Sequence, residues 1–113
     1  MQIITKNQVK EFKNSAVCIA TEYSVGDKDL DGAVISLSGR YPDKGRVVNE
    51  VCKEMAYIIS GHGKVVVEDK KYDIKSEDLI LIEKGERYYW EGTLKMLVYC
   101  SPVWYPEQHK EVD

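Results

Sequence analysis

The sequence has no long hydrophobic run and no excess of basic residues, and each absence excludes a class of protein. No apolar stretch approaches the ~20 residues that a membrane-spanning helix needs. The net charge is −3, whereas nucleic-acid binding needs a basic face. The first residues are too polar beyond Ile4 to form a secretory signal peptide. We therefore expect a cytoplasmic protein with neither a nucleic-acid partner nor a membrane partner.

Cysteine is also scarce, with three residues (Cys18, Cys52 and Cys100) and no C-x-x-C pair. An odd, dispersed set argues against a disulfide framework and favours reduced thiols. Cys18 and Cys100 lie in apolar runs and are predicted to be small core residues. Cys52 has charged neighbours, and carboxylates among them would raise its pKa and weaken it as a nucleophile.

The 113 residues present are organised as many short β-rich segments separated by turn residues. This length predicts a single domain, 1–113, with a short N-terminal arm at 1–15 and a C-terminal tail at 101–113. Only the segment from Asn7 to Phe12 is predicted to be helical, with Thr5 and Gln8 at capping-box spacing. Regularly spaced short strands favour an all-β sandwich or closed barrel. The predicted strands are 16–23, 33–38, 46–51, 55–60, 64–68, 71–74, 79–83, 87–91 and 94–100.

Two segments, Glu54 to Gly63 and Glu77 to Tyr88, resemble the conserved motifs of the cupins. In residues 54–63, Glu54, six intervening residues and Gly61 match the second half of the first motif. In residues 77–88, Gly85 matches the turn of the second motif, and the pair Asp78-Leu79 lies in the expected place. The resemblance covers about residues 33–107 and implies a small single-domain cupin of the cupin 2 type, an all-β double-stranded β-helix or jelly-roll barrel. It does not imply one function, because this fold carries many activities.

The histidines that bind metal in cupins are missing from these motifs. The two histidines of the first motif fall on Val48 and Glu50, or with the longer spacing on Val47 and Asn49. The histidine of the second motif falls on Tyr88. Neutral imidazoles are the ligands that suit the divalent metals of such sites. We therefore expect no cofactor and no tightly bound transition metal.

The resemblance implies a pocket between the two motif strands. Tyr88 and Trp90 are two residues apart in a strand and share one face, which the resemblance makes the inner one. An aromatic wall with a hydroxyl suits stacking on a sugar or another ring. Glu54 is expected to face the same cavity. The predicted ligand-binding residues are Asn49, Glu50, Cys52, Glu54, Tyr88 and Trp90.

Each of these residues also has a simpler interpretation. The two glutamates can be surface charges, the two aromatic residues can be core, and Cys52 can be a partly buried residue without chemistry. The segment from Trp104 to Pro106 is expected to pack on the barrel exterior or on a partner subunit. The resemblance also implies a homodimer.

Three functions remain open for this chain. The first is metal-free binding of a small polar ligand, such as a carbohydrate or a carboxylic acid. The second is a metal-free isomerase or epimerase, with Glu54 or Glu50 as base and Tyr88 as acid. The third is a metal-dependent enzyme on altered ligands. No histidine base is expected, because His62 lies in a predicted hairpin turn and His109 in the tail.

Overall fold

The computed structural model describes residues 1–113, and nine β-strands dominate it. Short 3-10 turns at Lys6–Gln8 and Pro106–Gln108 are its only helical elements. The structure therefore contains no helix with the length and hydropathy needed to cross a membrane. The strands are β1 (Lys10–Ser15), β2 (Cys18–Glu22), β3 (Asp31–Tyr41), β4 (Arg46–Asn49), β5 (Lys53–Val67), β6 (Lys70–Lys75), β7 (Leu79–Ile82), β8 (Arg87–Ser101) and β9 (His109–Val112).

All nine strands belong to one curled antiparallel sheet with β8 at its centre. β3 pairs along one side of β8, and β2 and β1 continue the sheet beyond β3. β5 pairs along the other side of β8, and β6 and β7 pair with different parts of β5. Where β3 ends, β4 takes its place beside the start of β8, and β9 pairs with β4. This arrangement brings the C-terminal strand to the region where the β4 side chains project inward.

Three glycines lie side by side where the sheet is sharply curled. Gly39 of β3 pairs with Gly92 of β8, and Gly92 pairs with Gly63 of β5. A Cβ on Gly92 would lie 2.5 Å from the Gly63 Cα. Gly92 also has a φ of +140°, which residues with a side chain rarely adopt. The row allows a close backbone approach that a side chain would block, and such glycines commonly mark bends in barrels.

The core lies on the concave face of the sheet and follows from the strand period of two. In β5, Ala56 and Ile58 are buried at 1% and 0% exposure, whereas the alternate residues Met55 and Tyr57 are exposed. Fully burying an aliphatic side chain contributes about 1.5–3 kcal/mol. The inner face therefore stabilises the barrel.

Several sequence-based boundaries need correction. The segment from Asn7 to Phe12 is not a helix, because the 3-10 turn ends at Gln8 and Lys10 begins strand pairing with Glu22. The Gln8 side chain does reach back, as the spacing predicts, and accepts a hydrogen bond from the Thr5 backbone N–H at 2.8 Å. The segments assigned to the arm and the tail contain strands β1 and β9.

The sequence Gly61-His62-Gly63 is also not a hairpin turn. His62 lies inside β5 and pairs with Lys75 on one side and Thr93 on the other. A Cβ on Gly61 would lie 1.9 Å from the Thr93 carbonyl oxygen. The glycines are therefore explained by close strand contact and a register shift near Ile58, and the two strands predicted at 55–60 and 64–68 are one strand.

Candidate functional site

A cavity opens on the concave face of the curled sheet. Its apolar walls come from the inward residues of β2, β3 and β8, among them Ala20, Ile35, Met96 and Val98. The space open to the centres of water molecules is about 90 Å³, several times the ~10–15 Å³ that one water needs. The cavity therefore has room for a small ligand or several waters. Its polar lining residues include Glu54, Tyr41, Tyr88, Trp104, Cys100 and His109.

Glu54 is the carboxylate at the centre of this polar group. It is the first inward residue of β5 and pairs with Cys100 of β8 and Ile82 of β7. Burial raises its pKa to about 7, and hydrogen bonds from Asn49, Cys100 and Tyr88 only partly offset this rise. The physical cause is that the low-dielectric surroundings disfavour the charged form. Glu54 can therefore both accept and release a proton near neutral pH.

Asn49 connects Glu54 with the aromatic side of the cavity. It is 2% exposed at the end of β4. Its Nδ2 group donates to Tyr88 Oη at 3.3 Å and to Glu54 Oε1 at 3.5 Å. Its Oδ1 atom lies 2.8 Å from His109 Nδ1 and accepts from Trp104 Nε1 at 3.2 Å. One amide thus joins four side chains, three of them from distant parts of the chain, and its burial without them would be costly.

The aromatic side of the cavity contains His109, Tyr41 and Trp104. Tyr41 Oη lies 2.9 Å from His109 Nε2, and the two rings are parallel within 5°. Trp104 also packs against His109, with ring centroids 5.6 Å apart and ring planes inclined at 60°. Burial lowers the pKa of His109 and raises the pKa of Tyr41. Both groups are therefore held in their neutral forms at neutral pH.

Tyr88 and Trp90 line the cavity, as the strand alternation predicts. Their rings meet edge to face, with centroids 6.3 Å apart. Burial and the neighbouring Glu54 raise the pKa of Tyr88 well above its ordinary value, so its hydroxyl keeps its proton. Their predicted role in ligand binding remains a prediction, and the same two residues also belong to the core cluster.

Two of the predicted ligand-binding residues, Glu50 and Cys52, do not line the cavity. Glu50 is exposed and does not line the cavity, because β4 ends at Asn49 and Glu50 follows it outside the strand. Of the two possible registers, Val47 and Asn49 are the inward pair, since Val47 is opposite Tyr88 in the sheet. Cys52 is 0% exposed and does not line the cavity, so it is not at the mouth.

The thiols near Glu54 are not suited to nucleophilic attack. Cys100 donates to Glu54 Oε1 at 3.9 Å. A hydrogen bond with Cys52, burial and the nearby Glu54 raise the pKa of Cys100, so this thiol stays protonated. The pKa of Cys52 is lowered on balance and not raised as expected, because its interaction with the Cys100 side chain outweighs burial and the nearby Glu54, which act in the expected direction. Complete burial of Cys52 still prevents its reaction with a ligand.

The residues at the cupin metal position do not fit a metal. The inward positions of the motifs carry Val47, Asn49, Glu54 and Tyr88, which together offer one carboxylate and no imidazole. His109 is nearby, but no three His, Cys, Asp or Glu side chains form a group that could hold a metal ion. A divalent transition metal prefers imidazole, thiolate and carboxylate donors in a converging set.

Three residues of the site were not predicted from the sequence. Tyr41 lies on the same face of β3 as Ile35 and Leu37, so strand alternation could have predicted that it faces inward. His109 and Trp104 had no local signal, and both expectations about them are wrong. Trp104 lines the cavity, not the barrel exterior, and His109 reaches the site because β9 pairs with β4.

Comparisons with known proteins agree on the fold. No family model matches the sequence, and the comparison with curated proteins gave no match. The chain is similar in structure to Pac13 from Streptomyces, described as a nucleoside dehydratase, with a TM-score of 0.89, 18% identity, and coverage of 99% of this chain and 91% of that one. Pac13 variants lacking a histidine or a tyrosine have been solved with uridine.

Two further structures support the same assignment. The polyketide cyclase RemF from Streptomyces resistomycificus has a TM-score of 0.76 and 15% identity, with 100% of this chain and 86% of that chain covered. KdgF from Halomonas has a TM-score of 0.73 and 13% identity, with 92% and 96% covered. At these identities the likeness concerns the fold, and the chain has the all-β barrel fold of a small cupin.

Proposed function

We propose that this protein is a cupin-fold enzyme that performs metal-independent acid–base chemistry on a small, uncharged, polar ligand. The observation that carries the proposal is the Glu54 carboxyl, which faces the cavity and has a pKa raised to about 7. A proton-transfer group works best when its pKa lies near the working pH. Glu54 meets that condition, and neutral Tyr88 and Tyr41 line the same cavity.

The charges around the cavity support an uncharged ligand. Its lining includes three carboxylates, Glu22, Asp31 and Glu54, and no lysine or arginine. Burial raises the pKa of Glu22, with a further contribution from Asp31, and burial raises the pKa of Asp31 as well. An anionic ligand would add negative charge to this region without a cation to balance it. A carboxylic acid or a phosphorylated sugar is therefore a poorer candidate than a neutral sugar or nucleoside.

The aromatic lining supports a ligand with a ring. Trp90, Trp104 and Tyr88 all line one small cavity, and aromatic linings of this kind suit the stacking and orientation of a flat or cyclic ligand. The structural neighbour Pac13 is described as a nucleoside dehydratase and was solved with uridine. We therefore take uridine as the first ligand to test. Dehydration needs one group that removes a proton and one that protonates the departing hydroxyl, and Glu54 can do either.

Calorimetry with uridine and with uridine 5′-phosphate tests the ligand class. We expect uridine to bind and the phosphate to bind at least about tenfold more weakly, since a tenfold change corresponds to about 1.4 kcal/mol. Binding of the phosphate with equal or higher affinity would contradict the charge argument. No binding of uridine or of free aldoses would contradict the proposed ligand class.

A second candidate is ligand binding without turnover. It is favoured by the observation that only Glu54, among Glu54, Tyr41, Tyr88 and Cys100, is placed to change protonation near neutral pH. The two candidates differ in the fate of the ligand. Recovery of every bound nucleoside and aldose unchanged after long incubation, under conditions where binding is saturated, would favour a binding protein.

The proposal includes a homodimer and a cytoplasmic location. The outer face of β5, β7 and β8 exposes a contiguous set of large apolar side chains, which is typical of an interaction surface. The three free cysteines are all buried and are compatible with a reducing compartment. We define this outer apolar face by Met55, Tyr57, Ile59, Leu79, Leu81 and Tyr99.

A further inference from the structure

We propose that Asn49 is a positioning residue that holds His109 with its ring proton on Nδ1, and that Tyr41 and His109 form a second acid–base pair in the cavity. The inference rests on the proposed function, because it adds a second proton-transfer group to Glu54. It follows from the direction in which each hydrogen bond of the network must run.

The first step fixes the orientation of the Asn49 amide. The indole Nε1 of Trp104 can only donate, and it lies 3.2 Å from one terminal atom of Asn49. That atom must therefore be the oxygen. The other terminal atom is then the NH₂ group, which faces Tyr88 Oη and Glu54 Oε1, both able to accept. Exchanging the two atoms would place two donors against each other at Trp104.

The second step fixes the tautomer of His109. Asn49 Oδ1 has no proton and lies 2.8 Å from His109 Nδ1, so Nδ1 must carry the proton in this bond. A neutral imidazole has only one ring proton, which leaves Nε2 as an acceptor. Burial lowers the pKa of His109 and so favours the neutral ring. The partner of one ring nitrogen thus determines the role of the other, as is general for histidine.

The third step assigns the Tyr41 proton. Tyr41 Oη lies 2.9 Å from His109 Nε2, and because Nε2 is an acceptor, the hydroxyl of Tyr41 must donate to it. The lone pairs of Tyr41 Oη are then free to accept a hydrogen bond from a ligand hydroxyl in the cavity. Tyr88 has the opposite role, because it accepts from Asn49 and donates its own proton to Glu54. The Asn49 amide therefore leaves Tyr41 as a hydrogen-bond acceptor and Tyr88 as a hydrogen-bond donor.

The pair can remove a proton from a ligand in one balanced step. The ligand O–H bond breaks, and its proton bonds to Tyr41 Oη while the electron pair stays on the ligand oxygen. At the same time the original Tyr41 proton moves to His109 Nε2. The resulting imidazolium donates from Nδ1 to Asn49 and from Nε2 to Tyr41, so both of its N–H groups are satisfied. The step needs no other reactant, and its reverse returns both protons.

Nitrogen NMR of the imidazole rings tests the tautomer without any ligand. The chain has two histidines, and exposed His62 serves as an internal reference. Two-bond proton–nitrogen correlations at mildly alkaline pH should show the His109 proton on Nδ1. His62 should show the mixture typical of a solvated ring, in which Nε2–H predominates. A His109 proton on Nε2, or on both nitrogens, would overturn the proposal.

Variants separate the influence of Asn49 from that of Tyr41. Asn49→Asp retains an oxygen acceptor and should keep the proton on Nδ1, whereas Asn49→Ala should return His109 to a mixture. Tyr41→Phe removes only the hydroxyl and should leave the proton on Nδ1, because Asn49 determines it. Loss of the Nδ1 form in Tyr41→Phe, or its persistence in folded Asn49→Ala, would show that Asn49 does not control the tautomer.

Kinetics with a turned-over ligand test the acid–base role. Tyr41→Phe should lower kcat about 100-fold, in the range of one lost proton-transfer group, with little change in KM. His62→Gln, outside the cavity, should have unchanged kinetics. Full kcat in Tyr41→Phe would overturn the role of the pair. Failure of uridine and free aldoses to bind would instead count against the proposed function, and the NMR result would remain valid on its own.

Discussion

Each face of strand β5 contains side chains that an ordinary sheet would place on the opposite face. On the inner face, Glu54 presents a carboxylate to the cavity, and Asn49 of β4 is fully buried beside it. On the outer face, Met55, Tyr57 and Ile59 are each about 40% exposed. A sheet usually keeps its apolar side chains inside and its polar ones in water. The inner residues Ala56 and Ile58 follow this rule, so Glu54 inside and the apolar side chains outside are the exceptions, and each exception is a candidate for a role other than packing.

The inner face has a stability cost that its outer counterpart lacks. Raising a carboxyl pKa means that folding disfavours the ionised form. Strongly shifted pKa values are concentrated at binding and catalytic sites. The outer apolar side chains gain stability only if another surface covers them. Changes on one face should therefore alter chemistry, and changes on the other should alter assembly.

The largest expected effect is on turnover, from Glu54→Gln. The amide keeps the size of the side chain and an oxygen for Asn49, but it cannot transfer a proton. We expect kcat to fall about 10²–10⁴-fold, measured with whichever nucleoside or aldose is turned over. Glu50→Gln is the matched control, because Glu50 is exposed on the neighbouring segment, and it should keep full activity. Equal activity of Glu54→Gln and the wild type would remove Glu54 from the mechanism.

The next effect concerns assembly through the outer apolar face. Leu79 and Leu81 are 60% and 53% exposed and lie opposite Tyr57 and Met55 in the sheet. Replacing both with lysine should convert the expected homodimer into a monomer in sedimentation velocity, while cavity chemistry remains. Leu30→Lys, at a residue 47% exposed outside this face, is the control. A wild-type protein that sediments as a monomer at all concentrations would refute the dimer.

A smaller effect is expected on stability and its pH dependence. Because the pKa of Glu54 is raised from 4.5 to about 7, the folded state holds a proton that the unfolded state has lost between these values. Stability should therefore fall as the pH rises from about 4.5 to 7 and then level off. With 1.36 kcal/mol per pKa unit, the full loss is roughly 3 kcal/mol.

Glu54→Gln tests that dependence in urea denaturation. The variant should lack this part of the pH profile and should be more stable than the wild type above pH 7, by up to the same roughly 3 kcal/mol. At acidic pH, where Glu54 is protonated in both states, the two proteins should have similar stability. Parallel stability profiles across the whole range would mean that burial does not raise the Glu54 pKa.

The smallest expected effect is that of metal removal. No three metal-binding side chains form a group that could hold an ion, so treatment with a chelator should leave both the midpoint of thermal unfolding and the turnover rate unchanged. Elemental analysis of protein purified without chelator is the direct measurement. Stoichiometric manganese, iron, nickel or zinc would contradict the donor-set argument.

The sequence was a good guide to the fold and to one half of the site. Strand alternation and the spacing of the cupin-like motifs correctly indicated an all-β barrel and the inward placement of Glu54, Tyr88 and Trp90. These features depend on residues close in sequence. Two spacings of the first motif fit the sequence, one with Val47 and Asn49 facing inward and one with Val48 and Glu50. The pairing of Val47 with Tyr88 in the structure selects the first.

The other half of the site depends on a long-range strand pair. His109 meets Asn49 because β9 pairs with β4, across 60 residues of sequence. The sequence of the C-terminal residues contains no motif or alternation that predicts the pairing of β9 with β4, and β9 has only four residues. Trp104 is likewise brought to the cavity by the segment that leads into β9. The partner of an edge strand is determined by the whole sheet, which is why His109 was missed.

Titration of the Glu54 side-chain carboxyl is the most direct test of its proposed role in proton transfer. The titration is monitored by carbon NMR of protein with selectively labelled glutamate. The Glu54 resonance is assigned by its absence in Glu54→Gln. We predict a midpoint near 7, because burial in the cavity raises the pKa of this carboxyl. The exposed Glu50 provides a resonance for comparison in the same sample. A Glu54 midpoint near the ordinary 4.5 would contradict the claim that this residue is poised for proton transfer at neutral pH.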